Sequence, residues 1–190
     1  MQLKQSTVLV AALAAAVAGA PLNASTLVGN ITANYLYPDS STVYSTSTFS
    51  AGSSVSCPGG GICAAFAEPA TIWGGGSAVG VTEDAGSSYG GASFNGVGFT
   101  GLTFNDGSHI TGFTLDTDLA GLTAANVAFG ADWISYNAQG LSFVTAPYHV
   151  TLKLITSDAP EPASWAMMLG GFGAIGGALR SRRKTSVSFA

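Results

Sequence analysis

Few residues in this chain have the type and spacing that chemistry requires. The first candidate is Cys57-Pro58-Gly59-Gly60-Gly61-Ile62-Cys63. A structural zinc takes four ligands, and this pair has no local His or further Cys. A disulfide across a loop tip is therefore the expectation, stabilising by about 2 kcal/mol through chain entropy. Asp116-Thr117-Asp118 sets two carboxylates two positions apart, which on a loop could serve a hard, oxygen-seeking cation such as calcium. No EF-hand or nonapeptide repeat supports that use, and solvated turn residues are the plainer reading, so neither a metal nor a cofactor is assigned.

Gly86-Ser87-Ser88-Tyr89-Gly90 has the G-x-S-x-G spacing of a nucleophile elbow, but an elbow needs a strand-to-helix turn and no helical pattern follows. Gly96-Val97-Gly98-Phe99-Thr100-Gly101 satisfies G-x-G-x-x-G, yet the phosphate-binding use requires a helix N-terminus directly after it, where another strand is expected. His109 and His149 fall on strands without an assigned Ser or Cys partner, so they make no triad. The expectation is a protein that is not an enzyme and has no catalytic residue.

The elements that carry these residues are strands. Leu27, Ile31 and Tyr35 share one phase and Asn30, Thr32 and Asn34 the other, the period-two pattern of a half-buried strand. Pro38 to Ser41 reads as a turn and Thr42 to Phe49 as a polar strand with one face open to water. Ile72-Trp73 closes a short apolar segment, and the Gly- and Ser-rich stretch up to Gly91 punctuates short strands. Further strands are expected at Phe94–Gly96, Leu102–Phe104, Ile110–Leu115, Val127–Phe129, Trp133–Tyr136, Leu141–Val144 and Val150–Ile155, with Asn105-Asp106-Gly107 as a turn. In the last strand Val150, Leu152 and Leu154 point one way, and His149, Thr151 and Lys153 the other. Strands at such spacing without an amphipathic helix predict an all-β fold, an antiparallel β-sandwich.

The two ends read differently. Lys4 precedes an uncharged apolar run from Val8 to Val17 and then small residues, the pattern of a secretory signal peptide over residues 1–24, with cleavage before Ser25. Residues 25–159 then form one domain of ordinary size. Its carboxylates outnumber its one cation, Lys153, for a net charge of about −8. Nucleic acid and anionic membrane surfaces are poor partners for such a domain, because both need basic residues.

At the other end, Pro160-Glu161-Pro162 leads into the uncharged segment 165–179, beginning Trp165-Ala166-Met167-Met168-Leu169 and followed by Arg180, Arg182, Arg183 and Lys184. Fifteen helical residues span roughly 22 Å against a hydrocarbon core of roughly 30 Å. The basic cluster behind the segment and the Trp before it argue for a short transmembrane helix over a buried core helix.

Residues 160–190 resemble the PEP-CTERM sorting signal of Gram-negative bacteria, in the form that reads PEP-x-x-WAMM, then a Gly/Phe-rich segment, then an Arg cluster. The stretch from Phe94 to Ile155, with Phe94-Asn95-Gly96 and an I-x-G-x-T-L strand from Ile110 to Leu115, resembles more loosely the β-rich ectodomains found beside that signal. The resemblance implies processing by an exosortase, a membrane-embedded cysteine transpeptidase, after signal peptidase has removed the leader. Pro160, Glu161 and Pro162 would be the recognition element, and Arg180, Arg182, Arg183 and Lys184 the membrane stop. It implies a membrane-anchored precursor, then a cell-surface or extracellular-matrix protein. The alternative role for the ectodomain is a lectin-like module that binds exopolysaccharide, with Trp133, Tyr136 or Tyr148 as sugar platforms; a secreted hydrolase is a more distant one.

Overall fold

Strand alternation decides which side chains meet, because successive residues face opposite sides of a sheet. The computed structural model describes residues 25–66, 69–84, 88–141, 147–157 and 162–181. The expected leader, most of the strand expected at Leu141–Val144, Pro160 and Glu161, and Arg182, Arg183 and Lys184 lie outside the described residues.

In chain order the elements are β1 (Leu27–Val28), β2 (Asn30–Leu36), β3 (Val43–Ser50), β4 (Ser53–Ser56), β5 (Ala70–Gly75) and β6 (Ala78–Glu83). Then come β7 (Gly96–Thr100), β8 (Thr103–Phe104), β9 (Ile110–Thr117), β10 (Val127–Phe129), β11 (Trp133–Asn137), β12 (Tyr148–Thr156) and one helix, α1 (Pro162–Ser181). Two five-stranded sheets run in the orders β10-β11-β7-β2-β3 and β4-β5-β6-β12-β9, and β1 pairs with β8. Every pairing is antiparallel, as the alternation predicts.

One apolar core joins the two large sheets. Ile31, Phe49, Val97, Phe99 and Ile134 come from the first; Ile72, Val79, Val81, Val150, Leu152 and Leu154 come from the second. The layers approach closely at Gly74 of β5, where an added Cβ would stand 2.6 Å from Ile31 Cδ1 of β2 and 3.2 Å from Val79 Cγ1. Trp73, one residue earlier, faces the other way and lies across Gly80.

Local chemistry sets the turns. Asp39 Oδ1 accepts the backbone N–H groups of Ser41 and Thr42, each at 2.9 Å, closing the β2–β3 connection. Gly107 takes a φ of +72°, and its N–H returns to Phe104 O, as a turn at Asn105–Gly107 requires. The chain is tied down at its first described residue, where Ser25 Oγ donates to Asp106, while the hydroxyls of Ser108 and Thr156 donate to Ser25 Oγ. These serine contacts hold the Asp106 carboxyl at about 2.

The structure sharpens two expectations and corrects a third. The Gly- and Ser-rich stretch hides β6, an interior strand of its sheet, because Gly80 and Thr82 interrupt an otherwise apolar run. The G-x-G-x-x-G stretch is not followed by a strand alone; Gly96–Thr100 is itself β7, and a Cβ on Gly96 would meet Tyr136 O at 2.0 Å. The cysteine loop is not a peripheral tip either. Cys57 and Cys63 are both buried in the core, beside Ile62.

Candidate functional site

The cysteines are bonded to each other, with Cα atoms 5.3 Å apart. Cys63 belongs to a 3-10 turn, Gly61–Ala65, that rests on β3. Ile62 N–H donates to Ser47 Oγ at 3.0 Å, and Ser45 Oγ donates to Ile62 O at 3.2 Å. The disulfide therefore fixes this turn against the edge strand of the first sheet.

Asp116 and Asp118 converge on His149, not on open space. Asp116 Oδ1 lies 3.5 Å from His149 Nε2 and Asp118 Oδ1 lies 3.3 Å from Nδ1, with Lys153 Nζ 3.7 Å from Asp116 Oδ2. The His149 backbone N–H also donates to Asp118 Oδ1 at 2.7 Å, and that bond is the main reason the Asp118 carboxyl sits below its ordinary pKa. Among the described residues no three His, Cys, Asp or Glu side chains are grouped to hold a metal ion. Ser88 is exposed in an isolated bridge, and the His109 backbone is engaged with Ser157.

Two of the three aromatic platforms expected from the sequence are core residues. Tyr136 is 0% and Tyr148 2% exposed; Trp133 alone reaches solvent, lying over Gly130. The buried tyrosines belong to a polar cluster that no motif announces. On β6, Val79, Val81 and Glu83 share the inward phase, so alternation carries a carboxylate into the interior. Tyr148 stands directly opposite Glu83 in the β6–β12 register, and its hydroxyl donates to Glu83 Oε2. The Tyr89 and Tyr148 hydroxyls are 2.8 Å apart. The Tyr136 hydroxyl is enclosed without a full hydrogen bond. Burial pushes the phenols of Tyr89, Tyr136 and Tyr148 well above their ordinary pKa.

The cluster reaches the surface through Tyr35. Its hydroxyl donates to Asn95 Oδ1 at 2.6 Å, and burial, followed by the nearby Glu83, raises its pKa to about 12. Beyond it opens a cleft of about 230 Å³ lined by Tyr35, Tyr37, Tyr44, Ala64, Ala65 and Asn95. Tyr35 meets Tyr44 edge-on at 6.4 Å and Phe66 at 5.5 Å, and Tyr37 meets Tyr44 at 6.4 Å. The residues come from β2, the connection after it, β3, the 3-10 turn and the segment before β7, so nothing local in the sequence marks the site.

Helix α1 contains the whole expected segment 165–179 and extends it to 20 residues, a length of about 30 Å. Arg180 is the basic residue of its last turn. Met168, Leu169, Phe172 and Ile175 are exposed. At about 100° per residue, Met168, Phe172 and Ile175 form one stripe and Gly170, Gly173 and Gly177 the opposite one. A Cβ on any of those glycines would have nothing within 4 Å. Five glycines dilute the helix, and among the described residues no helix is long and apolar enough to cross a membrane.

Residues 158–184 match the family model described as a PEP-CTERM protein-sorting motif. No curated relative and no solved structure matches the chain.

Proposed function

We propose that this chain, which carries a PEP-CTERM protein-sorting motif, is an exported surface or extracellular-matrix protein whose tail is an address and whose strands are the cargo. The match at residues 158–184 carries the reading. Signal peptidase removes residues 1–24, and a β-sandwich ectodomain of residues 25–159 is left outside the inner membrane. The tail helix then holds the precursor until an exosortase recognises Pro160, Glu161 and Pro162. Arg180, Arg182, Arg183 and Lys184 keep the helix from following the ectodomain across, since cationic side chains are costly to move through hydrocarbon.

Two structural features support this assignment of roles. Helix α1 displays bulky apolar side chains to solvent, a wasteful arrangement in water and a suitable one where lipid or another membrane protein covers them. Its glycine-rich composition lowers apolarity but permits close approach by a partner helix, which suits a segment destined for an intramembrane enzyme. The ectodomain acts without catalysis in this reading: its carboxylates near His149 lie against that ring and, for Asp116, Lys153, and its interior polar groups largely bond to one another.

The test compares processing of the full chain in hosts with and without an exosortase. The precursor should remain intact and membrane-bound without the enzyme and lose its tail when the enzyme is present. Glu161→Ala should block tail loss while leaving export unchanged. Neutral replacement of Arg180, Arg182, Arg183 and Lys184 should instead release uncut protein. Tail loss in a host lacking the enzyme would refute the proposal.

A further inference from the structure

We infer that the tyrosine cleft at the β2–β3 end of the first sheet is a binding site for a neutral saccharide, occupied by one or two sugar units of a polysaccharide chain. The inference concerns the ectodomain alone and stands apart from how the tail is processed.

Three properties of the cleft point to this ligand. The first is its aromatic surface. Tyr37 and Tyr44 are 37% and 61% exposed, and two such rings side by side present more than the scattered single exposures usual on protein surfaces. Their edge-on packing, with interplanar angles of 67° for Tyr35–Tyr44 and 88° for Tyr37–Tyr44, makes walls at near right angles instead of one flat stack. A pyranose ring has an apolar C–H face and a hydroxylated rim. It can lie against one wall while its rim reaches the next.

The second property is neutral hydrogen-bonding capacity. Asn95 forms the floor of the cleft, held by Tyr35 through Oδ1 and by Gly90 O, which accepts from Nδ2 at 3.3 Å. An amide has two N–H donors, of which Gly90 O takes one. The exposed phenols of Tyr37 and Tyr44 each add a donor and an acceptor. Among the described residues no charged side chain lines the cleft. An anionic ligand would find no cation among those lining residues, and it would approach a domain whose own net charge is negative.

The third is rigidity. Tyr35 is fixed from behind by Asn95, and Asn95 in turn by its N–H bond to Asn137 Oδ1 at 2.9 Å. Ala64 and Ala65 belong to the turn that the Cys57–Cys63 disulfide closes. Their small side chains leave the rings uncovered. A site organised before binding spends less of its interaction energy on ordering itself.

Full-length protein in a detergent without a sugar headgroup should be titrated calorimetrically with cellohexaose, maltohexaose, an oligogalacturonate and a proline-rich peptide. At least one neutral oligosaccharide should bind below about 10 mM, and the oligogalacturonate should not. Tyr44→Ala should weaken that binding about tenfold, as expected for loss of a central aromatic anchor. Tyr44 lies on an edge strand and is largely exposed, and an unchanged far-UV spectrum would verify that the variant folds. Trp133→Ala, an exposed aromatic on β11 of the same sheet, should leave the affinity unchanged. The inference is overturned if neither neutral oligosaccharide binds, if only the anionic sugar or the peptide binds, if Tyr44→Ala binds as wild type, or if Trp133→Ala weakens binding as much as Tyr44→Ala.

Discussion

Glu83 is inside the protein for the same reason that Val79 and Val81 are: all three share one phase of a strand whose inward face is buried. Burying a carboxyl without partners would cost several kcal/mol, and Tyr148, placed opposite by the sheet register, supplies the first partner. The same alternation governs Leu152 and Lys153. Leu152 is fully buried, whereas Lys153 faces solvent near Asp116. Leu152→Asp should destabilise by roughly 4 kcal/mol or more and unfold the domain; Lys153→Asp should leave it folded in chemical denaturation. Gly96→Ala should also destabilise strongly, since its Cβ would strike the Tyr136 carbonyl. Alkaline titration reads the tyrosines. The folded pKa of Tyr35 is raised from 10.0 to about 12, so its stabilising contribution is complete below pH 10 and is lost as the pH rises through about 12. Because Tyr89, Tyr136 and Tyr148 are raised as well, tyrosinate absorbance and loss of strand signal should rise together above pH 10. Ionisation of Tyr35 near pH 10 with the fold intact would contradict the placement.

At the scale of elements, the strands with clear alternation, β2, β9 and β12, were legible in the sequence, and short connections account for the antiparallel pairing of neighbours such as β2–β3, β5–β6 and β10–β11. The interior strand β6 was not, because its Gly80 exists to receive the Trp73 ring across the sheet, a cross-strand relation that a linear pattern conceals. Tyr136 and Tyr148 misled for a related reason: a phenol suits either a wet platform or a buried hydrogen bond, and only the register places it. The cysteine pairing followed from the spacing and the lack of further metal ligands nearby, but its setting did not. A pair at a free loop tip would contribute chain entropy alone. Here both residues are also part of the core, so the double substitution Cys57→Ala, Cys63→Ala should cost about 3 kcal/mol in the oxidised protein, the sum of a closed-loop contribution and lost packing. A loss well under 1 kcal/mol would mean that the turn is held without its bridge.

For the whole molecule, legibility and location are opposed. The sorting tail is a run of adjacent residues whose meaning lies in order and spacing, and it reads directly. The tyrosine cleft draws Tyr35, Tyr44, Ala64 and Asn95 from distant stretches of the chain, so only the fold assembles it. The division suits a protein whose destination is encoded locally and whose contact surface is not. The central claim is that the tail is removed by a sorting enzyme once export is complete, leaving the strand domain outside. Mass spectrometry of the protein recovered from the native cell surface tests it most directly. The account predicts an N-terminus at Ser25 and no peptide from Trp165 to Ala190; recovery of tail peptides containing Trp165 from the mature surface protein would contradict it and leave an ordinary membrane-anchored protein.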